Sequence, residues 1–139
     1  MKAKLLLLFA VLLVAAAGLS VTLAQTKRGR AAKEFMRDKL ELSQGALEGL
    51  ATEDYALIIA KGTKLSAMSQ EVDWRVFENP DYDQQSVTFR RHVTSLVKAA
   101  EAKDLDAATL AYVRLTVSCV DCHKLVRGKL LASTDSLKF

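Results

Sequence analysis

The apolar positions of this chain recur at intervals of three and four residues, which is the spacing of one side of an α-helix. The first segment with this pattern runs from about Gln25 to Leu50. No segment alternates polar and apolar residues as a half-buried strand does. We therefore predict an all-α fold, whose first helix packs through a seam formed by Met36, Leu40, Ser43, Leu47 and Leu50.

A second helical segment follows directly. It opens at Thr52, which we predict as its N-cap, and its apolar side ends with Met68. Gly62 interrupts that side, and its missing side chain would let a neighbouring helix or a ring approach closely. Residues 71–84 then form a predicted connection that contains Trp74, which we expect to plug one end of the fold or to touch a cofactor edge.

Two more helices complete the pattern. The third is predicted from about Gln85 to Lys103, with Phe89, Val93, Leu96 and Ala100 on its apolar side. The fourth begins after the predicted N-cap Asp104 and continues to about Leu131. Because the connections near 50–52 and 103 are short, neighbouring helices should run antiparallel. The expected architecture is an antiparallel four-helix bundle.

The first 24 residues have the layout of a secretory signal. A basic start precedes the apolar run Leu5–Ala17, and Thr22-Leu23-Ala24 resembles a small-residue cleavage site. An uncleaved anchor over Leu5–Ala24 is the alternative, since 20 residues just span a bilayer. Membrane contact is expected only in that case. We favour cleavage, which leaves residues 25–139 as one domain exported to the periplasm.

The charge of the chain does not favour a nucleic-acid partner. The full sequence carries 20 basic and 16 acidic residues. Loss of Lys2 and Lys4 with the leader leaves 18 basic residues against 16 acidic ones, a net charge of +2. No basic stripe interleaves with aromatic residues, so we exclude nucleic acid as a partner.

Cys119-Val120-Asp121-Cys122-His123 is the motif that carries chemistry. C-x-x-C-H is typical of covalent haem attachment. The two thiols add to the vinyl groups of the porphyrin, and the adjacent imidazole binds the iron. On a helix the three side chains project from one side, because they are separated by three and four positions. Cys119, Cys122 and His123 are therefore the candidate sites for haem c, with His123 as the iron ligand.

Other interpretations of these residues are weaker but stay open. A zinc site needs four protein ligands, and the chain has only two cysteines and two histidines. A thioredoxin-like redox pair needs a βαβ context that the helical pattern does not offer. A plain disulfide leaves His123 unexplained. A helical exported protein without haem also remains an alternative.

With the motif late in a fourth helix, the chain resembles the cytochrome c′ family, a group of four-helix bundles. That family carries C-x-x-C-H in its last helix with an arginine a few residues on, here Arg127. The resemblance covers the whole of residues 25–139. It implies one covalent haem c and redox partner proteins. Many members of the family form homodimers, and the sequence leaves open whether this chain does.

The resemblance also separates two kinds of iron site. In one branch the residue opposite the proximal histidine leaves the iron five-coordinate, and the iron binds nitric oxide or carbon monoxide. In the other branch a first-helix methionine binds the iron, and the protein carries electrons. Met36 falls at that position, and we predict it as the sixth ligand. His92, beside two arginines, is the rival ligand, whereas Met68 is expected in the core.

The cations around the haem are less clearly indicated. Arg127 lies one helical turn past His123, and we expect it near the imidazole or a haem propionate, with an ordinary exposed arginine as the alternative. The family's propionate-binding arginine precedes the distal residue by one turn, where this chain has Ala32. The sequence leaves its replacement open among Arg30, Lys33 and Arg37.

The expected function is electron transfer by an exported monohaem cytochrome with a His123 and Met36 iron site. The chain needs no general acid, base or activated nucleophile for this role, so we do not expect an enzyme. The alternative is a five-coordinate cytochrome that binds nitric oxide or carbon monoxide, in which Met36 only crowds the open side of the iron.

Overall fold

The computed structural model describes residues 30–71, 74 and 78–135, with side chains up to 129. The predicted signal, residues 1–24, lies outside them. The described chain forms four α-helices: α1 over residues 30–51, α2 over Tyr55–Met68, α3 over Pro80–Glu101 and α4 over Leu105–Asp135. Within the described residues there is no strand, so the prediction of an all-α, four-helix fold is confirmed.

The α1–α2 and α3–α4 turns share the same backbone conformation and the same backbone hydrogen bond. Glu53 and Lys103 each adopt a φ of 56°, the left-handed conformation that ends a helix. The next residue then donates its backbone N–H five positions back, from Asp54 to Gly49 at 2.8 Å and from Asp104 to Ala99 at 2.9 Å. These hydrogen bonds satisfy carbonyls at the helix ends, so three residues suffice to reverse the chain.

The same aspartates begin the next helices. The Asp54 carboxylate accepts a hydrogen bond from the Leu57 N–H, and Asp104 accepts one from Ala107, both at 2.9 Å. The prediction of Asp104 as an N-cap is confirmed. The prediction of Thr52 is wrong, because its hydroxyl donates back to the Glu48 carbonyl at 2.8 Å and so belongs to the end of α1.

α3 begins earlier than the sequence pattern indicated. Asn79 is its N-cap and accepts from the Asp81 N–H at 2.8 Å, while Pro80 is the first helical residue. Proline is well suited to this position, because the first helical N–H has no partner within the helix. The predicted connection over residues 71–84 therefore ends earlier than expected, at Asn79.

The predicted seam of α1 is wrong in part. Leu40 and Leu47 are 57% and 50% exposed, whereas Ala46 is fully buried. The buried side also contains Gly49, where an added Cβ would lie 2.8 Å from Ile58 Cγ1. Leu50 of the predicted seam is buried, at 8% exposure, and the small residues Ala46 and Gly49 beside it let α2 pack closely against α1.

The packing of α3 agrees with the pattern. Phe89, Val93, Leu96 and Ala100 are all buried, at 4% exposure or less. α2 approaches α3 at Gly62, where an added Cβ would lie 2.6 Å from Val97 Cγ2. The predicted close approach at Gly62 is therefore confirmed, with a neighbouring helix as the contact.

Trp74 anchors the connection between α2 and α3. It is 6% exposed, its indole N–H donates to the Ser86 hydroxyl at 2.9 Å, and its backbone carbonyl accepts from the Tyr82 hydroxyl. Its ring lies 4.7 Å from that of Phe89, centroid to centroid. The expectation of a buried plug is confirmed. Phe77, also in this connection, lies outside the described residues.

The described residues divide into two compact units with the boundary between Arg37 and Asp38. The second contains most of α1 and all of α2, α3 and α4. In the part of the chain that the structure describes, no helix is both long and apolar enough to cross a membrane. The predicted anchor over Leu5–Ala24 is outside that part.

Candidate functional site

Cys119 and Cys122 lie on an unbroken stretch of α4, three positions apart, with both thiols free. The core side of this helix passes through Leu115 and Ser118, at 1% and 4% exposure. The two cysteines are half-buried, at the margin of that side. Both thiols therefore border the interior of the fold while a large group can still reach them.

Burial raises the pKa of both thiols. The Lys39 ammonium acts in the opposite direction at each of them, and its charge is the next cause in size. Because burial prevails, both groups are neutral thiols at neutral pH rather than thiolates.

His123 follows the second cysteine and is more exposed overall than the thiols. Its pKa is lowered first by the partial burial of the imidazole, then by the charges of Lys39 and Arg127. All three effects disfavour the imidazolium. The ring is therefore neutral at neutral pH, which is the state that binds a metal.

A cavity of about 270 Å³ adjoins the imidazole. Val120, His123, Val126 and Arg127 line it, all from α4. The structure thus places Arg127 on the same side as His123, as the sequence predicted from their spacing of four. The effect of Arg127 on the His123 pKa is consistent with that placement.

Lys39 is the residue near this site that the sequence did not indicate. Its Nζ lies 3.7 Å from the centroid of the Trp74 ring and 5.5 Å from that of Phe89. Burial lowers the pKa of Lys39, although the two cysteines act to raise it. A lysine is not counted among apolar positions, so periodicity alone could not place it on the inner side of α1.

Met36 stays a prediction as an iron ligand. It is half-buried on α1 but belongs to the unit that ends at Arg37, whereas His123 belongs to the other unit. The sequence candidates for a propionate-binding cation, Arg30, Lys33 and Arg37, are exposed residues of that same first unit.

His92, the rival ligand, has different neighbours from His123. Burial lowers its pKa first, followed by the charges of Arg114 and Arg91. Neither the haem-motif cysteines nor Lys39 contributes. Met68 is half-buried at the end of α2, less deeply than expected for a core residue.

The residues of the motif fit a covalently bound haem. Two neutral thiols one helical turn apart are the groups that add to two vinyl groups, and a neutral imidazole follows them. Among the described residues, no three His, Cys, Asp or Glu side chains form a cluster that could hold a metal ion directly.

Two solved structures have the same fold. A ferrous variant of cytochrome c prime from Alcaligenes xylosoxidans with bound nitric oxide is similar with a TM-score of 0.55 and 20% identity, over 70% of this chain and 93% of that chain. The nitric oxide complex of a mutant of the same cytochrome gives a TM-score of 0.53 and 21% identity, over 70% and 93%. At this identity the likeness establishes the fold alone.

Sequence comparison supplies the family. No curated protein matches the chain. A sequence profile described as Cytochrome C′, however, matches residues 18–127, which is most of the chain and includes the whole Cys119-Val120-Asp121-Cys122-His123 motif. Fold, motif and profile agree, and the chain belongs to the cytochrome c′ family of monohaem c-type cytochromes, which bind haem c covalently.

Proposed function

We propose that this protein is an exported haem c protein whose iron is held by His123 on one side and binds nitric oxide or carbon monoxide on the other. The observation that carries the proposal is the arrangement of Cys119, Cys122 and His123 on one turn of α4, in a chain of the cytochrome c′ family. Bound haem would supply a reducible iron that takes up diatomic ligands.

The residues of α4 each have a separate task. Each neutral thiol adds its S–H across one vinyl C=C bond, which forms one S–C and one C–H bond. Cys119 and Cys122 then fix the porphyrin in two places. His123 offers a neutral nitrogen to the iron, because burial, Lys39 and Arg127 all oppose its protonation. Arg127 adds a positive charge beside the imidazole.

The comparison structures favour gas binding over the electron carrier that the sequence pattern first favoured. Both are nitric oxide complexes of a cytochrome c prime. The electron carrier would require Met36 as the sixth iron ligand, which stays a prediction from its position in the sequence. In our proposal Met36 is not an iron ligand. We propose no enzymatic reaction, and a redox partner is required only to reduce the iron.

Ligand binding by the ferrous protein tests this proposal. Full-length protein produced in cells that mature c-type cytochromes is reduced and titrated with carbon monoxide and with nitric oxide, followed by absorption. We expect both gases to bind rapidly at neutral pH. A Met36→Leu variant, which keeps the size and loses the thioether, should have the same ferric spectrum. Two results together would instead establish the electron carrier. The ferrous protein would resist carbon monoxide, and the ferric spectrum would change from low-spin in the wild type to high-spin in Met36→Leu.

Export is part of the proposal and has its own readout. Members of the family are periplasmic, and the predicted cleavage after Ala24 would release residues 25–139. The intact mass of the periplasmic protein should equal that of residues 25–139 plus one haem. A haem-bearing product that retains residues 1–24 and pellets with membranes would support the anchor.

A further inference from the structure

The environment of the Lys39 side chain is unusual for a lysine. Its ammonium lies against the faces of Trp74 and Phe89, at 3.7 and 5.5 Å from their centroids. Among the described residues, no carboxylate lies within ion-pair distance of it. The aromatic rings attract the cation through their negative faces but accept no strong hydrogen bond. Lys39 is half-buried, and among the described residues its N–H donors have no anionic acceptor.

The register of α1 on α4 brings this amine towards the haem cysteines. The Tyr112 hydroxyl contacts Ser43 through both its side chain and its carbonyl, at 3.4 and 3.2 Å. One turn earlier on α1, Lys39 lies near enough to Cys119 and Cys122, further along α4, for its charge to lower the pKa of both thiols against the effect of burial. The two helices thus run antiparallel here. Because Cα–Cβ bonds tilt towards a helix N-terminus, the Lys39 side chain leans towards the cysteines.

The positions of the thioether bonds and the propionates on haem c determine which haem group a cation beside Cys119 and Cys122 can contact. The thioether bonds form at one edge of the porphyrin, and the propionates occupy the opposite edge. A lysine beside Cys119 and Cys122 is therefore at the wrong edge to serve as the propionate partner. If His123 holds the iron from α4, as in the proposed function, a ligand on the opposite side would lie away from α4 and within reach of Lys39 on α1.

We propose that Lys39 is a specificity-determining residue that donates a hydrogen bond to a ligand on the iron and so gives this cytochrome a site for small anions of the nitrite and azide class. The inference rests on the open iron side of the proposed function. An ammonium offers an anion both its charge and a charge-assisted hydrogen bond, whereas neutral carbon monoxide gains little from either. The long, flexible lysine stem lets the amine leave the Trp74 face when an anion enters.

Paired titrations of the haem-loaded, full-length protein test the role of Lys39. Azide is the probe for the ferric protein and carbon monoxide for the ferrous protein, both followed by absorption. In Lys39→Met we expect the azide dissociation constant to rise about tenfold or more, the effect of one lost charge-assisted hydrogen bond. Carbon monoxide affinity should change by less than about threefold, since an uncharged ligand does not depend on that bond.

Three further variants separate the effect of the Lys39 charge from that of its packing. Lys39→Arg keeps the charge and donors and should retain most of the azide affinity. Lys64→Met removes an exposed lysine of α2 and should change neither ligand. Lys39→Gln, which keeps a neutral donor, replaces Lys39→Met if that variant does not load haem, and should also lose most of the azide affinity.

The outcomes distinguish the two proposals. Equal azide affinities in wild type and Lys39→Met, with carbon monoxide still bound, overturn the role of Lys39 and leave the gas-binding proposal intact. An equal loss for azide and carbon monoxide also overturns it, because that pattern indicates a disturbed pocket. A wild-type ferrous protein that binds no carbon monoxide overturns both proposals together.

Discussion

Two cationic residues, Lys39 and Arg127, act on the neutral imidazole of His123. Lys39 and Arg127 both lower the pKa of the imidazole, and burial has the largest effect. The same charges act on any other positive charge placed nearby. In the haem-loaded protein they would therefore disfavour ferric iron relative to ferrous iron and raise the midpoint potential.

Replacing Arg127 tests this effect. Arg127→Gln should lower the midpoint potential by an amount on the order of tens of millivolts, because the residue is exposed and solvent screens its charge. Spectroelectrochemical titration measures the change. Lys124→Gln is the matched control, since Lys124 is next to His123 in sequence but pairs with Asp121 at 3.6 Å. An unchanged midpoint potential in Arg127→Gln would mean that Arg127 is an ordinary exposed arginine without an effect on the iron.

The residues of the haem motif could be predicted from the sequence, because covalent attachment requires a fixed spacing of two thiols and an imidazole. Lys39 could not be predicted. Its place depends on the rotation of α1, and the leucines that suggested a seam at Leu40 and Leu47 turned out to be exposed. Small side chains at Gly45, Ala46 and Gly49 determine that rotation, and apolar periodicity gives them little weight.

At the scale of the helices, α2 and α3 approach each other closely at one glycine. Gly62 faces Val97, whose Cγ2 would lie 2.6 Å from an added Cβ. Valine is stiff at χ1, so the methyl group cannot simply turn away. The helices themselves must then separate if the glycine acquires a side chain.

Gly62→Ala should therefore lower the free energy of unfolding by about 1–2 kcal/mol, since overpacking outweighs the helix propensity of alanine. Gly128→Ala is the control, because an added Cβ there meets nothing within 4 Å. It should raise stability by roughly 0.5–1 kcal/mol. Denaturant titration measures both. A stabilising Gly62→Ala would mean that α2 and α3 do not pack as described.

The turn between α1 and α2 shows what local sequence could and could not predict. Thr52 and Asp54 are both good N-cap residue types, and the acidic residues that follow Thr52 favoured the earlier position. The left-handed conformation of Glu53 extends the turn by two residues and transfers the cap to Asp54. Such a conformation is uncommon for glutamate, so the sequence did not indicate it.

Alanine substitutions distinguish the two caps. Asp54→Ala should destabilise the protein by about 1 kcal/mol, the usual cost of an N-cap whose oxygen accepts a helix N–H. Thr52→Ala removes an exposed hydroxyl and should cost no more than about 0.5 kcal/mol. Thermal unfolding of the haem-loaded protein measures both. The reverse order would restore Thr52 as the cap.

At the scale of the whole molecule, the fold class and the location of the haem motif followed from two simple patterns. Helical periodicity gave four helices, and the motif fell in the last of them. The iron site did not follow, because in our proposals it depends on which α1 side chain would meet the open side of the iron. Met36, predicted from its position, and Lys39, identified from its contacts, are the two candidates on that helix.

The spin state of the ferric iron tests the central claim most directly, namely a haem fixed by Cys119 and Cys122 with His123 as its single protein ligand. The measurement is electron paramagnetic resonance of the purified holoprotein at neutral pH and low temperature. We expect an axial high-spin signal, which is typical of a haem iron without a strong sixth ligand. A rhombic low-spin signal that disappears in Met36→Leu would contradict it.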